Sequence, residues 1–237
     1  MFTPEEARRF VPRGDGDPGH DVFLAWELLY RLEPSLYDRL ASAERLHPGV
    51  VSWLPDGVDR IAEVGAGTGR LTMELAGRGG EVVAVEPALP LRRILSRKLA
   101  SSGEAERVRV VPGFFDQLPL PSGWADLVVA CSAFTPSAAH GGEAGLAEME
   151  RVCRAGGCVA IIWPNHISWL VDRGYEYVSF AGAMAVEFGS YAEAVELAEI
   201  FYPKGAEAVR RRGSSTVPFE VLGINPPRDL VFKVLPG

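Results

Sequence analysis

The segment Ile61-Ala62-Glu63-Val64-Gly65-Ala66-Gly67-Thr68-Gly69-Arg70-Leu71-Thr72 constrains this chain more than any other. Its apolar start predicts a buried strand from Arg60 to Val64, followed by a glycine turn and a helix beginning near Gly69. Glycines let a backbone turn sharply and approach a ligand closely. Such a turn after a first strand is how open α/β sheets bind nucleotides.

Glu63, two residues before the first glycine, narrows the ligand class. A dinucleotide site sets helix N–H groups against a pyrophosphate. A poorly screened carboxylate there would repel that dianion by several kcal/mol, on the order of a close charge pair. It suits a cationic ligand such as S-adenosylmethionine, which carries a sulfonium and an ammonium and no phosphate. The glycine spacing agrees, because a dinucleotide fingerprint wants a glycine five residues after the first. That position holds Arg70, with Gly69 one place early.

The rest of the chain supplies an α/β pattern. Apolar runs at Val82–Val85, Val108–Val111, Asp126–Cys131 and Cys158–Trp163 predict four more buried strands, alternating with helices over Pro90–Ser101 and Glu143–Arg154. Ala155-Gly156-Gly157 is expected to stop the second of these helices. Short, continuous apolar strands alternating with helices indicate a parallel sheet covered on both faces. Before the first strand, helical patterns follow Asp21, Pro34 and Pro48, preceded by a turn-rich arm at Pro12–Gly19. Residues 164 to 214 break the alternation and predict two or three aromatic-rich helices. Thr216–Leu222 and Asp229–Leu235 predict two final strands, joined as an antiparallel hairpin by Asn225-Pro226-Pro227-Arg228.

With 237 residues, 47% of them hydrophobic, the chain has ample length for one elaborated α/β domain. Its net charge of −7 argues against a general nucleic-acid surface, and Arg210-Arg211-Arg212 reads as a solvated helix end. Cys131, Cys153 and Cys158 lack C-x-x-C spacing and read as reduced thiols of a cytoplasmic protein. No leader is evident, and no apolar run reaches membrane-spanning length.

Glu86, in Val83-Ala84-Val85-Glu86-Pro87, closes the second strand about twenty residues beyond the glycine turn. An acid there can accept hydrogen bonds from both hydroxyls of a ribose.

These pieces resemble the class I S-adenosylmethionine-dependent methyltransferases, most closely the small-molecule type built on a type 11 domain. The resemblance runs from about Arg60 to Trp163. It rests on Glu63-x-Gly65-x-Gly67-x-Gly69 and Glu86, then on Gly113-Phe114-Phe115-Asp116-Gln117-Leu118-Pro119-Leu120-Pro121. It continues through Asp126-Leu127-Val128-Val129 and ends on Glu150-Arg151-Val152-Cys153-Arg154-Ala155-Gly156-Gly157-Cys158-Val159-Ala160. The fold it implies is a doubly wound, seven-stranded, mostly parallel sheet of Rossmann-like type. The N-terminal helices precede this sheet, and a helical insertion precedes its last two strands.

The resemblance implies that Glu63 and the glycines border the methionyl moiety of S-adenosylmethionine and that Glu86 holds the ribose. The implied cofactor-binding set is Glu63, Gly65, Ala66, Gly67, Gly69, Glu86, Pro87, Phe115, Asp116, Cys131 and Ser132, and the product is S-adenosylhomocysteine. The family commonly has Asp after the glycine at Gly113, where this chain has Phe114. Either Asp116 substitutes, or adenine is held by stacking and the Phe115 N–H. A His-Trp pair common after the fourth strand is replaced by Ala133-Phe134-Thr135-Pro136. Asn225-Pro226-Pro227 lies far from the fourth strand and reads as a turn rather than an amino-methylating motif.

No His/Cys/Asp/Glu spacing suits a metal. His140 and His166 follow the fourth and fifth strands and are the only general-base candidates, so the catalytic group stays open. The expected parts are an N-terminal arm and lid (1–55), a cofactor core (56–163), a substrate cap (164–214) and a C-terminal hairpin (215–237). The expected function is methyl transfer to a small-molecule acceptor, with no nucleic-acid or membrane partner. The alternatives are a catalytically silent S-adenosylmethionine-binding protein and an NAD-dependent oxidoreductase.

Overall fold

Successive residues along the central strands point to opposite faces, and nearly all are apolar, so the sheet must be covered on both sides. The computed structural model describes residues 18–237 and has this arrangement. The strands are β1 (Val58–Val64), β2 (Gly79–Val85), β3 (Val108–Val111), β4 (Ala125–Cys131), β5 (Cys153–Ile162), β6 (Glu176–Ser179), β7 (Ala185–Glu187), β8 (Thr216–Pro218) and β9 (Asp229–Val234). The main sheet has seven strands in the order β3-β2-β1-β4-β5-β9-β6, as expected in number and type. β3, β2, β1, β4 and β5 run parallel, and β9 runs antiparallel to both of its neighbours.

On one face, Ala62, Val64, Val85, Val128 and Ile161 pack beneath α6 (Gly142–Val152), which contributes Leu146, Met149 and Val152. On the other, Ile61, Val82, Leu127, Val129 and Ile162 meet α3 (Pro48–Trp53) through Val50 and α5 (Leu89–Ser102) through Leu95 and Leu99. α5 follows the usual asymmetry of helix ends. Pro90 lies in its first turn, and Gly103 closes it at φ +81°, donating its N–H to Leu99. Between β1 and β2, α4 (Thr72–Leu75) is a single short turn, much shorter than the helix expected after Gly69.

A third cluster joins the two segments outside the core. Leu40 and Ala43 of α2 (Pro34–Ala43) pack with Ala194, Leu197 and Ala198 of α8 (Tyr191–Phe201), Val209 of α9 (Ala206–Arg212) and Phe219 of α10 (Phe219–Leu222). α1 (Pro18–Leu32) leans against this group through Trp26. The part of the arm before Pro18 lies outside the described residues. α9 ends in the three arginines, as expected, with Arg210 paired to Glu199.

Three expectations are corrected. The C-terminal hairpin does not form. β8 pairs with β7 in a separate two-stranded sheet, while β9 lies between β5 and β6. Pro218 has no N–H to extend the ladder, and the chain turns into α10 immediately after it. The 164–214 segment is not wholly helical. Besides α7 (Ile167–Val171), α8 and α9 it holds β6 and β7, and β6 forms the sheet edge. Finally, Gly156-Gly157 is no helix stop, because α6 already ends at Val152. The pair makes an irregularity inside β5, where a Cβ at Gly157 would lie 2.7 Å from Cys153 Sγ.

Candidate active site

The glycine turn is fixed from two sides. Gly65 and Ala66 donate backbone N–H groups to the Val85 carbonyl at 2.9 and 3.0 Å, which anchors the turn to the end of β2. Gly67 then donates to Glu86 Oε2 at 2.9 Å, and Ala88 donates to Glu86 Oε1 at 2.7 Å. Gly67 holds φ +57°, a conformation that side chains disfavour, and a Cβ there would stand 3.3 Å from the Tyr37 hydroxyl of α2. Tyr37 therefore closes directly over the turn.

Glu86 is 5% exposed. Burial pushes its carboxyl up to about 7, although the two N–H donors favour the ionised form. It faces a cavity of about 760 Å³ that reaches from the glycine turn to the ends of β4 and β5. Of the sequence-derived set, Gly65, Gly67, Glu86, Pro87, Phe115, Cys131 and Ser132 line this cavity.

Glu63 does not. It is 1% exposed and lies behind the turn, where Oε2 accepts from the Thr72 hydroxyl at 2.6 Å and so ties β1 to α4. Burial raises its carboxyl to about 8, which leaves it mostly neutral at pH 7 in this state. Its expected electrostatic action on a ligand is thus conditional on ionisation. With Ala66, Glu63 borders a smaller void of about 20 Å³, room for about one water-sized body. Gly69 packs its backbone toward Leu95 and is likewise structural. Asp116 is exposed and away from the cavity wall, whereas the half-buried Phe115 ring lies on it, 4.8 Å from Phe134. Of the two residues considered for adenine, Phe115 is the one on the described cavity wall.

Two strained backbones mark the far end of the cavity. Ser132 and Trp163, directly after β4 and β5, hold φ +53° and +52°. For side-chain-bearing residues such conformations cost about 1–3 kcal/mol each and persist only where surroundings enforce them. Ser132 donates its N–H to Ile162 and Trp163 donates to Asp229, both at 2.9 Å, which supplies that enforcement. The Trp163 indole N–H is held by the Asn225 carbonyl at 3.0 Å. Asn225 thus supports Trp163 through its backbone, and it lines the cavity itself.

His140 lies on the cavity wall, and burial holds its imidazole below the usual range. His166 is exposed at the start of α7 and does not line the cavity. Burial pushes the Cys131 thiol up to about 11, which leaves it a poor nucleophile.

Sequence reasoning did not single out a buried polar junction at the centre of the wall. Arg70 pairs with Glu44, donates to the Ala41 carbonyl at 3.2 Å and lies over the Trp163 ring, 5.2 Å from its centroid. The Tyr202 hydroxyl donates to the other oxygen of Glu44. One carboxylate thus joins the glycine turn, the N-terminal helices and the segment after α8. The helical pattern around Glu44 gave no signal for this, since its partners are distant in sequence.

Comparison with known proteins agrees with the geometry. Residues 61–157 match a family model described as a methyltransferase domain. An uncharacterized methyltransferase of Mycobacterium tuberculosis is 32% identical over 139 residues, covering 54% of this chain and 50% of the relative. The chain thus spans about half the length of that curated relative. Among solved structures, YcgJ of Bacillus subtilis superposes with a TM-score of 0.51 at 13% identity, covering 86% of this chain and 98% of that one. The 4+2 cyclase SpnF does so with a TM-score of 0.50 at 18% identity, covering 84% and 81%. At such identities these two share the fold. On the glycine turn, Glu86, the sheet order and the matched domain together, residues 61–157 carry a methyltransferase domain, set in a fold similar to that of the class I S-adenosylmethionine-dependent methyltransferases.

Proposed function

We propose that this chain catalyses methyl transfer from S-adenosylmethionine to a small-molecule acceptor in the cytoplasm. The observation that carries the reading is the Glu86 carboxylate, joined to the Gly67 N–H and facing a cavity that continues past the glycine turn. A volume of about 760 Å³ suits a cofactor and part of an acceptor together. Gly65 and Gly67 line the cavity beside Glu86 in positive-φ conformations suited to glycine, so the residues present fit the cofactor.

When bound, S-adenosylmethionine supplies a methyl group already activated on a sulfonium sulfur. Glu86 would accept from the ribose hydroxyls, and the Phe115 ring would lie against adenine. Gly65, Gly67, Cys131 and Ser132 would hold the methionyl end. The chain then has to orient the acceptor and exclude water, which can supply most of the acceleration. Tyr37 and Tyr202 wall the cavity for that purpose, which favours the lid and cap roles expected for 1–55 and 164–214. His140 is the base candidate that borders the cavity, needed only where the acceptor must lose a proton. The free thiols of the three cysteines suit a reducing compartment.

A second reading is a cofactor-binding chain without transfer. It draws on Phe134, which packs against Gly141 and Gly145 instead of facing the cavity. SpnF, named a cyclase, has the same fold. Formation of S-adenosylhomocysteine from labelled S-adenosylmethionine across a set of small acceptors decides between them. Turnover with any acceptor supports transfer. Cofactor binding without turnover across the set supports the second reading.

A further inference from the structure

We propose that the acceptor carries a positively charged nitrogen group, recognised by the aromatic corner of Trp26, Tyr30 and Tyr37 together with the Glu27 carboxylate. This rests on the methyl-transfer reading above and names the substrate class of the same cavity.

The corner is built from α1 and α2. The rings of Trp26 and Tyr37 meet at 83° with centroids 6.4 Å apart, and those of Tyr30 and Tyr37 at 68° and 4.7 Å. Phe201 of α8 extends the wall, nearly parallel to Trp26 at 15° and 5.9 Å. All four side chains line the cavity. Tyr37 meets Trp26 and Tyr30 edge to face, and the parts of these rings left on the cavity wall offer an aromatic surface of the kind that attracts a desolvated cation.

The charges point the same way. Glu27 follows Trp26 on α1, is 7% exposed, lines the cavity and pairs with Arg31 at 3.4 Å. Glu44, Glu86 and Asp229 are the other carboxylates among the described lining residues, against the single guanidinium of Arg70. Arg70 is already engaged by Glu44 and the Trp163 face. Among the described lining residues, an anionic acceptor would find no uncommitted guanidinium to meet it. A neutral one would gain from the rings alone.

Calorimetry on protein saturated with S-adenosylhomocysteine tests the assignment with three probes of similar shape. These are choline, dimethylbutanol with carbon in place of the nitrogen, and the anion pivalate. Choline is expected to bind about tenfold or more tighter than either of the others. Glu27→Gln and Trp26→Leu are each expected to lose most of that preference while still binding S-adenosylhomocysteine, which reports that they fold. Choline binding no better than dimethylbutanol, tighter binding of pivalate, or no binding of any probe overturns the proposal. Failure of the unaltered protein to bind S-adenosylhomocysteine overturns the methyl-transfer reading first, so the two failures are distinguishable.

Discussion

The Gly67 N–H donates to Glu86 Oε2 at 2.9 Å, so the glycine turn after β1 and the acid that ends β2 form one unit. The carboxylate both shapes the turn and faces the cavity. Besides its place at the end of β2, its bonds to Gly67 and Ala88 give Glu86 a structural share.

Glu86→Ala is therefore expected to act twice. Loss of charge-assisted hydrogen bonds to the ribose should weaken S-adenosylhomocysteine binding by roughly 1.5–3 kcal/mol. Leaving two buried N–H groups without their acceptor should lower stability by about 1–3 kcal/mol. Titration calorimetry and urea unfolding read the two effects separately. Unchanged affinity in a folded variant would move the ribose partner elsewhere.

The same group sets a pH dependence. Burial holds the Glu86 carboxyl at about 7, above its ordinary 4.5. Hydroxyls donating to it favour the ionised form, so binding releases protons in this range. Affinity should rise as pH goes from about 6 to about 8, by at most about tenfold per unit. The stability contribution of this group in the free protein runs the other way. It is fully present below 4.5 and is lost as pH rises through about 7. Glu86→Gln should flatten the affinity profile. A profile that stays steep in that variant would assign the titration to another group.

What was legible in the sequence was local. The glycine turn and Glu86 are marked by short-range spacing and meet at one cavity, and the five parallel strands are marked by continuous apolar runs and form as expected. β6 did not, because Glu176–Ser179 is a mostly exposed edge strand without an apolar signature. Gly156-Gly157 misled because a helix stop and a strand irregularity both call for glycine. The ionisation of Glu63 depends on a burial that no sequence window states. The Glu44 junction joins residues 26 and 158 positions apart, beyond any local pattern.

Gly67→Val should abolish cofactor binding. The position needs φ +57°, which a β-branched residue resists, and the added carbon meets the Tyr37 hydroxyl at 3.3 Å. Thermal shift with S-adenosylhomocysteine is the readout. A folded variant with a normal shift would show that the turn does not approach the ligand.

The Glu44 junction predicts how the cover is held. Tyr202→Phe removes one donor to a buried carboxylate and should cost about 1.5–3 kcal/mol. Arg70→Met leaves Glu44 buried without its cation and should cost more, about 3–5 kcal/mol. Hydrogen exchange should show faster opening of α2 and of the segment around Tyr202 together in both variants. Independent opening of the two segments would contradict the junction's role in joining them.

Binding of S-adenosylhomocysteine, followed by calorimetry beside a titration with NAD, bears most directly on the function proposed here. The expected result is a dissociation constant in the micromolar range, about −7 to −8 kcal/mol, with no heat from NAD. No heat and no thermal shift with S-adenosylhomocysteine at millimolar concentration, or saturable binding of NAD in its place, would contradict it.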